Sequence, residues 1–196
     1  MSPGPQKQFD RDEVLERAMA LFWRQGYEAT GMTELLEQMG IGRQSLYDTF
    51  GDKRALYLEA LNHYFRSRIG PIEAQLRAPG SVVDNLRQVV GMWEKMGAES
   101  GGCGCLVGNC AAEMGATDPE IAERLAGYYG TLENAFRDAF ERGQERGEIT
   151  RSIEAGELAK VFLHTAQGVA LLSRVMPERN AGAQVIRSAI EMLSAS

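Results

Sequence analysis

The chain has 196 residues, 44% of them hydrophobic and 24% charged, an ordinary globular composition that excludes a disordered or low-complexity protein. Its net charge of -6 argues against a surface that wraps nucleic acid by bulk charge alone. The acid is unevenly spread: residues 1–70 hold nine Lys/Arg against ten Asp/Glu, net -1, and the remainder hold twelve against seventeen, net -5.

In chain order, the first eight residues, MSPGPQKQ, are expected to form a disordered arm. They have neither the apolar run nor the cleavage site of a signal peptide. Asp10 is placed to cap a helix running to about Gln25, with Val14, Ala18, Leu21 and Phe22 on one face and Gly26 as its stop. A short helix is predicted from about Gly31 to Met39, with Thr30 as its N-cap, and Gly40-Ile41-Gly42 breaks it. A third helix spans about Arg43 to Phe50, burying Leu46 and Phe50 one turn apart. A fourth runs from Lys53 to about Ile69, where Gly70-Pro71 ends or bends it. Further helices are predicted over about Val82 to Ala98, Leu106 to Met114, Pro119 to Arg146 or Gly147, Glu154 to Val175, a helix that Pro177 stops, and Ala181 to Leu193. No alternating β-branched run appears, so the fold class is all-α. The longest uncharged apolar stretch, Val161–Ser173, contains His164, Thr165 and Gln167 and is too short to span a bilayer, so the expected location is the cytoplasm.

Residues 31–50, GMTELLEQMGIGRQSLYDTF, have the layout of a helix-turn-helix: short helix, tight glycine-bearing turn, short helix. Gly40 permits a left-handed backbone at the turn, and Leu35, Leu46 and Phe50 can bind the pair to Leu21 and Phe22 of the first helix. With those faces buried, Arg43, Gln44, Ser45, Tyr47 and Thr49 are left outward. Such side chains suit a major groove, where Arg can fork onto guanine and Gln onto adenine.

Here the chain resembles the TetR family of bacterial regulators. Gly26-Tyr27-Glu28-Ala29-Thr30 and Leu46-Tyr47-Asp48-Thr49-Phe50-Gly51-Asp52-Lys53 match two of its signatures in order and separation, over roughly residues 9–60. The match departs from the family pattern at Leu36, where a small residue is usual, and at Gly42, where Ser or Thr is usual. The resemblance implies that Arg43, Gln44 and Ser45 face bases, and that Thr30, Thr33, Tyr47 and Lys53 hold phosphates. It also implies a helix-turn-helix DNA-binding domain over residues 9–53, linked through the helix 53–69 to a larger C-terminal part, residues 54–196, that dimerises and encloses an effector pocket.

Three cysteines, Cys103, Cys105 and Cys110, fall within eight positions of a glycine-rich stretch, and three readings stay open for them. They can be small buried residues at a helix entry. One can be a reactive thiol: the segment is similar to a Gly-Cys-Leu-x-x-Asn element in a TetR subgroup that includes electrophile- and oxidant-responsive repressors, which points to Cys105, and a helix starting near Leu106 favours its thiolate. Or the three can hold a soft metal. Only His63 and His164 are available as partners and no Cys-x-x-Cys is present, so no metal or cofactor is assigned.

Trp93, Met96, Cys105, Met114, Phe140, His164 and Gln167 are candidates for the effector pocket or sensor. The helix around Val161–Leu172 is apolar nearly all round, which suits one face on its own core and another on a partner. Gly168, Leu171, Val185, Ala189 and Leu193 are therefore candidates for a two-fold, four-helix dimer interface. The expected protein is a DNA-binding transcriptional regulator, a homodimeric repressor released from double-stranded operator DNA by a small-molecule or electrophile effector. A thiol-dependent enzyme and a helical adaptor for another protein are the competing readings. No catalytic residue is assigned, because no Cys/His or paired-carboxylate constellation is legible.

Overall fold

Asp10 opens the first helix of the computed structural model, which describes residues 9–176 and 181–194. Its carboxylate accepts from the backbone N–H groups of Asp12, at 2.8 Å, and Glu13, at 3.2 Å, satisfying two donors that the first turn leaves over. Helix α1 then runs Arg11–Gln25 and ends at Gly26, whose N–H returns to Phe22 O. Three more helices follow: α2 (Met32–Met39), α3 (Arg43–Phe50) and α4 (Lys53–Tyr64). The arm over residues 1–8 and the stop at Pro177 lie outside the described residues.

The chain divides into two compact units, one ending at Tyr64 and the other beginning at Phe65. In the first, α1 packs on both α2 and α4, and α3 packs on α4. Leu15, Met19, Leu21, Phe22, Leu35, Met39, Leu46, Leu56, Tyr57 and Leu61 are all exposed to 1% or less, the apolar faces that 3–4 spacing marks in the sequence. Each such side chain contributes about 1.5–3 kcal/mol by leaving water. Phe22 meets Tyr57 edge-on with centroids 4.9 Å apart, fixing the crossing of α1 and α4.

The helix expected over 53–69 does not stop at Gly70-Pro71. Its ladder widens into a π turn over Phe65–Ile69, and a further helix that the sequence reading missed, α5 (Gly70–Leu76), begins there. A proline inside a regular α ladder would lose a hydrogen bond and press on the carbonyl four residues back. The π turn resets the ladder so that Pro71 stands at the start of α5, where its missing N–H is no loss.

The second unit continues with α6 (Val82–Glu99), α7 (Leu106–Met114), α8 (Pro119–Glu145), α9 (Ala155–Leu172) and α10 (Ala181–Leu193). Helices α8 and α9 form its main pair, flanked by α6, α7 and α10. Trp93 of α6, Phe136 and Phe140 of α8 and Phe162 of α9 make one aromatic cluster, with Phe136 and Phe162 centroids 5.0 Å apart. The start of α6 is held from a distance: the Glu148 carboxylate accepts from the Ser81 hydroxyl and the Val82 N–H, both at 2.7 Å. Among the described residues the β pairing amounts to one isolated antiparallel bridge between Ile149 and Ser194, and no helix is long and apolar enough to cross a membrane.

Candidate nucleic-acid interface

The turn between α2 and α3 is built on Gly40. It sits at φ +69°, ψ +31°, and its N–H is shared between the carbonyls of Leu36 and Glu37, while Ile41 N–H also returns to Leu36 O. This left-handed close satisfies the last carbonyls of α2 within three residues. A side chain at 40 would be strained, and its Cβ would come to 3.3 Å from Nη1 of Arg17, the α1 residue whose guanidinium also donates to Met39 O. Helix α3 starts at Gly42 without a side-chain cap and is anchored by Leu46 and Phe50, the latter lying under the Arg11 guanidinium at 5.0 Å.

With that anchoring, Arg43, Gln44, Tyr47 and Asp48 stand exposed on α3, Tyr47 at 45%, and Thr33 stands exposed on α2. Ser45 is half-buried. Lys53 is half-buried at the start of α4, its ammonium 4.4 Å over the Tyr27 ring, which itself rests against Tyr57 at 4.9 Å. The sequence reading gave Tyr27 no role. Its place in the Gly-Tyr-x-Ala-Thr stretch is explained by this stack, which fixes where the Lys53 charge is held.

Two assigned residues are corrected. Thr30 neither caps α2, which Gly31 opens, nor offers its hydroxyl to a phosphate. It is fully buried and its hydroxyl donates to Gly26 O at 2.6 Å, tying down the link between α1 and α2. The Thr49 hydroxyl is also turned inward, buried with no hydrogen-bond partner among the described residues. One relation was missed: Gln44 Nε2 donates to Asp48 Oδ1 at 2.8 Å across one turn of α3, a pairing that the four-residue spacing allows on any helix.

In the second unit, Gly101, Gly102 and Gly104 all adopt positive φ, and the ideal Cβ of Gly104 would lie 2.7 Å from Ala170 O on α9. The cysteine loop therefore lies against the α9 backbone. The Cys103 thiol donates to Ser100 O and Asn109 Nδ2 to Cys103 O, both at 2.8 Å. Cys105 is half-buried at the N-cap of α7, with Gln167 Nε2 3.9 Å from its sulfur, while Cys110 is fully buried. Gln167 Oε1 in turn accepts from the Tyr129 hydroxyl at 3.4 Å. Burial first, and then the sulfurs of Cys105 and Cys110, push the Tyr129 phenol well above its ordinary range, so it remains a donor. Among the described residues no group of three His, Cys, Asp or Glu side chains is arranged to hold a metal ion.

The expected effector residues do not gather in one place. Cys105 and Gln167 meet, but Trp93 and Phe140 belong to the aromatic cluster, where Phe140 is fully buried. Met114 is buried and Met96 half-buried. His164 is exposed, with Nδ1 2.6 Å from Lys160 O. An open cavity of about 810 Å³ lies elsewhere, lined by Arg146, Ile149, Thr150, Arg151, Met192 and Ser194. Among the residues expected at a dimer interface, Leu171 is 58% and Val185 50% exposed, while Gly168, Ala189 and Leu193 are half-buried. Val161, Leu172 and Val175 extend the exposed apolar surface of α9 and its end.

Residues 14–60 match the family described as bacterial regulatory proteins, tetR family, and residues 79–189 match the tetracyclin repressor-like C-terminal domain. The chain is 33% identical over 175 residues to the uncharacterized HTH-type transcriptional regulator YezE of Bacillus subtilis, covering 88% of this chain and 90% of the relative. It is 28% identical to the HTH-type transcriptional repressor ComR of Escherichia coli, covering 88% and 83%. Among solved structures it is similar to a cysteine mutant of the TetR family transcriptional regulator CifR complexed with 26-bp double-strand operator DNA, with TM-score 0.80, 27% identity and coverage of 97% and 100%. A regulator from Agrobacterium tumefaciens shares the fold, with TM-score 0.86, 21% identity and coverage of 94% and 97%.

Proposed function

The chain belongs to the TetR family of transcriptional regulators, proteins that bind operator DNA as dimers and are not enzymes, and from that footing we propose that it is a cytoplasmic repressor reading its operator through α3. The observation that carries the reading is the exposed row Arg43, Gln44 and Tyr47 on a helix whose opposite side is anchored by Leu46 and Phe50. In this reading residues 9–53 do the DNA recognition, Arg43 and Gln44 reach base edges with Ser45 beside them, and Thr33, Tyr47 and Lys53 hold phosphates. The two copies meet through α9 and α10, with Leu171 and Val185 covered, and place their recognition helices about 34 Å apart, one turn of DNA. The exposed apolar residues on those helices and the open space at Gly168 support this pairing.

The effector acts on the second unit, and Cys105 is the proposed sensor, supported by its half-buried position at the N-cap of α7 and by the Gln167 amide beside its sulfur. Release from DNA requires that the effector, or the modified thiol, favour the state that does not fit the operator. A gel shift on DNA flanking the chain's own gene tests the reading. Binding should weaken steeply with salt, and Arg43→Ala should cost about 1–3 kcal/mol and relax preference at one base pair. An electrophile should release wild type and leave Cys105→Ser bound. Unchanged operator affinity in Arg43→Ala removes the base contact, and equal release of both proteins removes Cys105 as the sensor.

A further inference from the structure

We infer that Asp48 is a positioning residue for base recognition: through its hydrogen bond to Gln44 it fixes which edge of the Gln44 amide faces the DNA, and so commits that position of each half-site to adenine. The inference rests on α3 being the reading helix. Both side chains are exposed, and Gln44 Nε2 donates to Asp48 Oδ1 at 2.8 Å.

An ionised carboxylate can only accept hydrogen bonds, so it must face the NH₂ end of the amide and never its oxygen. That removes the flipped orientation. Of the two N–H bonds, the one anti to Oε1 points away from the oxygen, and giving it to Asp48 leaves Oε1 and the other N–H side by side. This edge is the complement of adenine, whose N6 donates and N7 accepts in the major groove; guanine offers two acceptors there and leaves Oε1 facing another oxygen.

Charge points the same way. Beyond Gln44, Asp48 has no use for a phosphate, and α3 carries Arg43 as its one basic residue. A carboxylate set among phosphates lowers affinity for every sequence alike. Its contribution is therefore to discrimination rather than to strength.

The test is selection of a randomised double-stranded DNA library by wild type, Gln44→Ala, Asp48→Asn and Asp48→Ala, with enrichment read base pair by base pair. Wild type is expected to enrich a two-fold symmetric site with an adenine in each half whose preference disappears in Gln44→Ala. Both Asp48 variants should relax that same base pair by about twofold, the worth of an exposed side-chain pair one helical turn apart, while leaving the others as they are. They should also bind non-specific DNA more tightly. Because the readout is a ratio between bases within one library, loss of folded protein lowers the yield without moving it.

A full preference at the Gln44 position in Asp48→Asn, a change confined to a different base pair, or a base other than adenine at that position overturns the inference and leaves the function standing. A wild-type chain that enriches no sequence overturns both.

Discussion

Replacing Gly104 by alanine tests the close approach between the cysteine loop and α9. Gly104 lies at φ +74°, a conformation that costs an L side chain about 1–2 kcal/mol. Its added Cβ would also stand 2.7 Å from Ala170 O and 3.3 Å from Arg174 Cγ. The side chain can move aside, but the carbonyl belongs to helix backbone, so loop or helix end must shift by several tenths of an ångström, at about 1–3 kcal/mol. Gly101→Ala supplies the control, since Gly101 has φ +66° and nothing within 4 Å of its added Cβ. Gly104→Ala should therefore melt below Gly101→Ala by about 2–12 °C, taking about 2–4 °C per kcal/mol for a chain of this size. Thermal unfolding by far-UV circular dichroism, with a urea titration alongside, measures both. Equal melting temperatures would refute the reasoning, because the penalty would then be conformational only and the loop would not rest on α9.

Thr49→Val should stabilise the protein by about 1–3 kcal/mol, because it replaces a buried hydroxyl without a partner by a methyl of the same shape. It should leave operator affinity unchanged, and a loss of either quantity would show that the hydroxyl is used. Glu148 gives a pH signature. The Ser81 hydroxyl holds its carboxyl below the ordinary value of 4.5; burial opposes it, and the Val82 and Val83 N–H groups and the Arg146 charge each add a smaller downward pull. A group depressed in the folded state contributes stability above its unfolded value and loses it as pH falls through the folded one. Glu148→Gln should thus be less stable than wild type at neutral pH by about 1 kcal/mol, with the gap closing as pH falls below the ordinary carboxylate range. Urea midpoints across that range measure it, and a pH-independent gap would contradict the assignment.

Most helices were legible because their signals are local. Asp10 and Gly26 bracket α1, Pro119 opens α8, and apolar spacing marks the buried faces between them. The α5 helix was not, since a Gly-Pro pair reads as a terminator unless one knows that a π turn precedes it. Thr30 departs from its expected role for a related reason. Ser and Thr before a helix commonly cap it, and only the path of the chain from Gly26 shows that this hydroxyl turns back instead. The Gln44–Asp48 pair lies within reach of spacing alone, since residues four apart on a helix are neighbours.

The effector residues mark the limit of such reading. Helix α9 is apolar on nearly every side, so periodicity cannot assign His164 to solvent or Gln167 to the cysteine segment. By itself the sequence determined an all-helical chain, the helix-turn-helix and its family, since capping, periodicity and two short signatures each reside within a few consecutive residues. Tertiary structure alone decided which hydroxyls turn inward, how Tyr27 carries Lys53, and that Cys105, Gln167 and Tyr129 meet across three helices. Those relations depend on which faces of separate helices come together, and that is settled by packing rather than by any one segment's pattern.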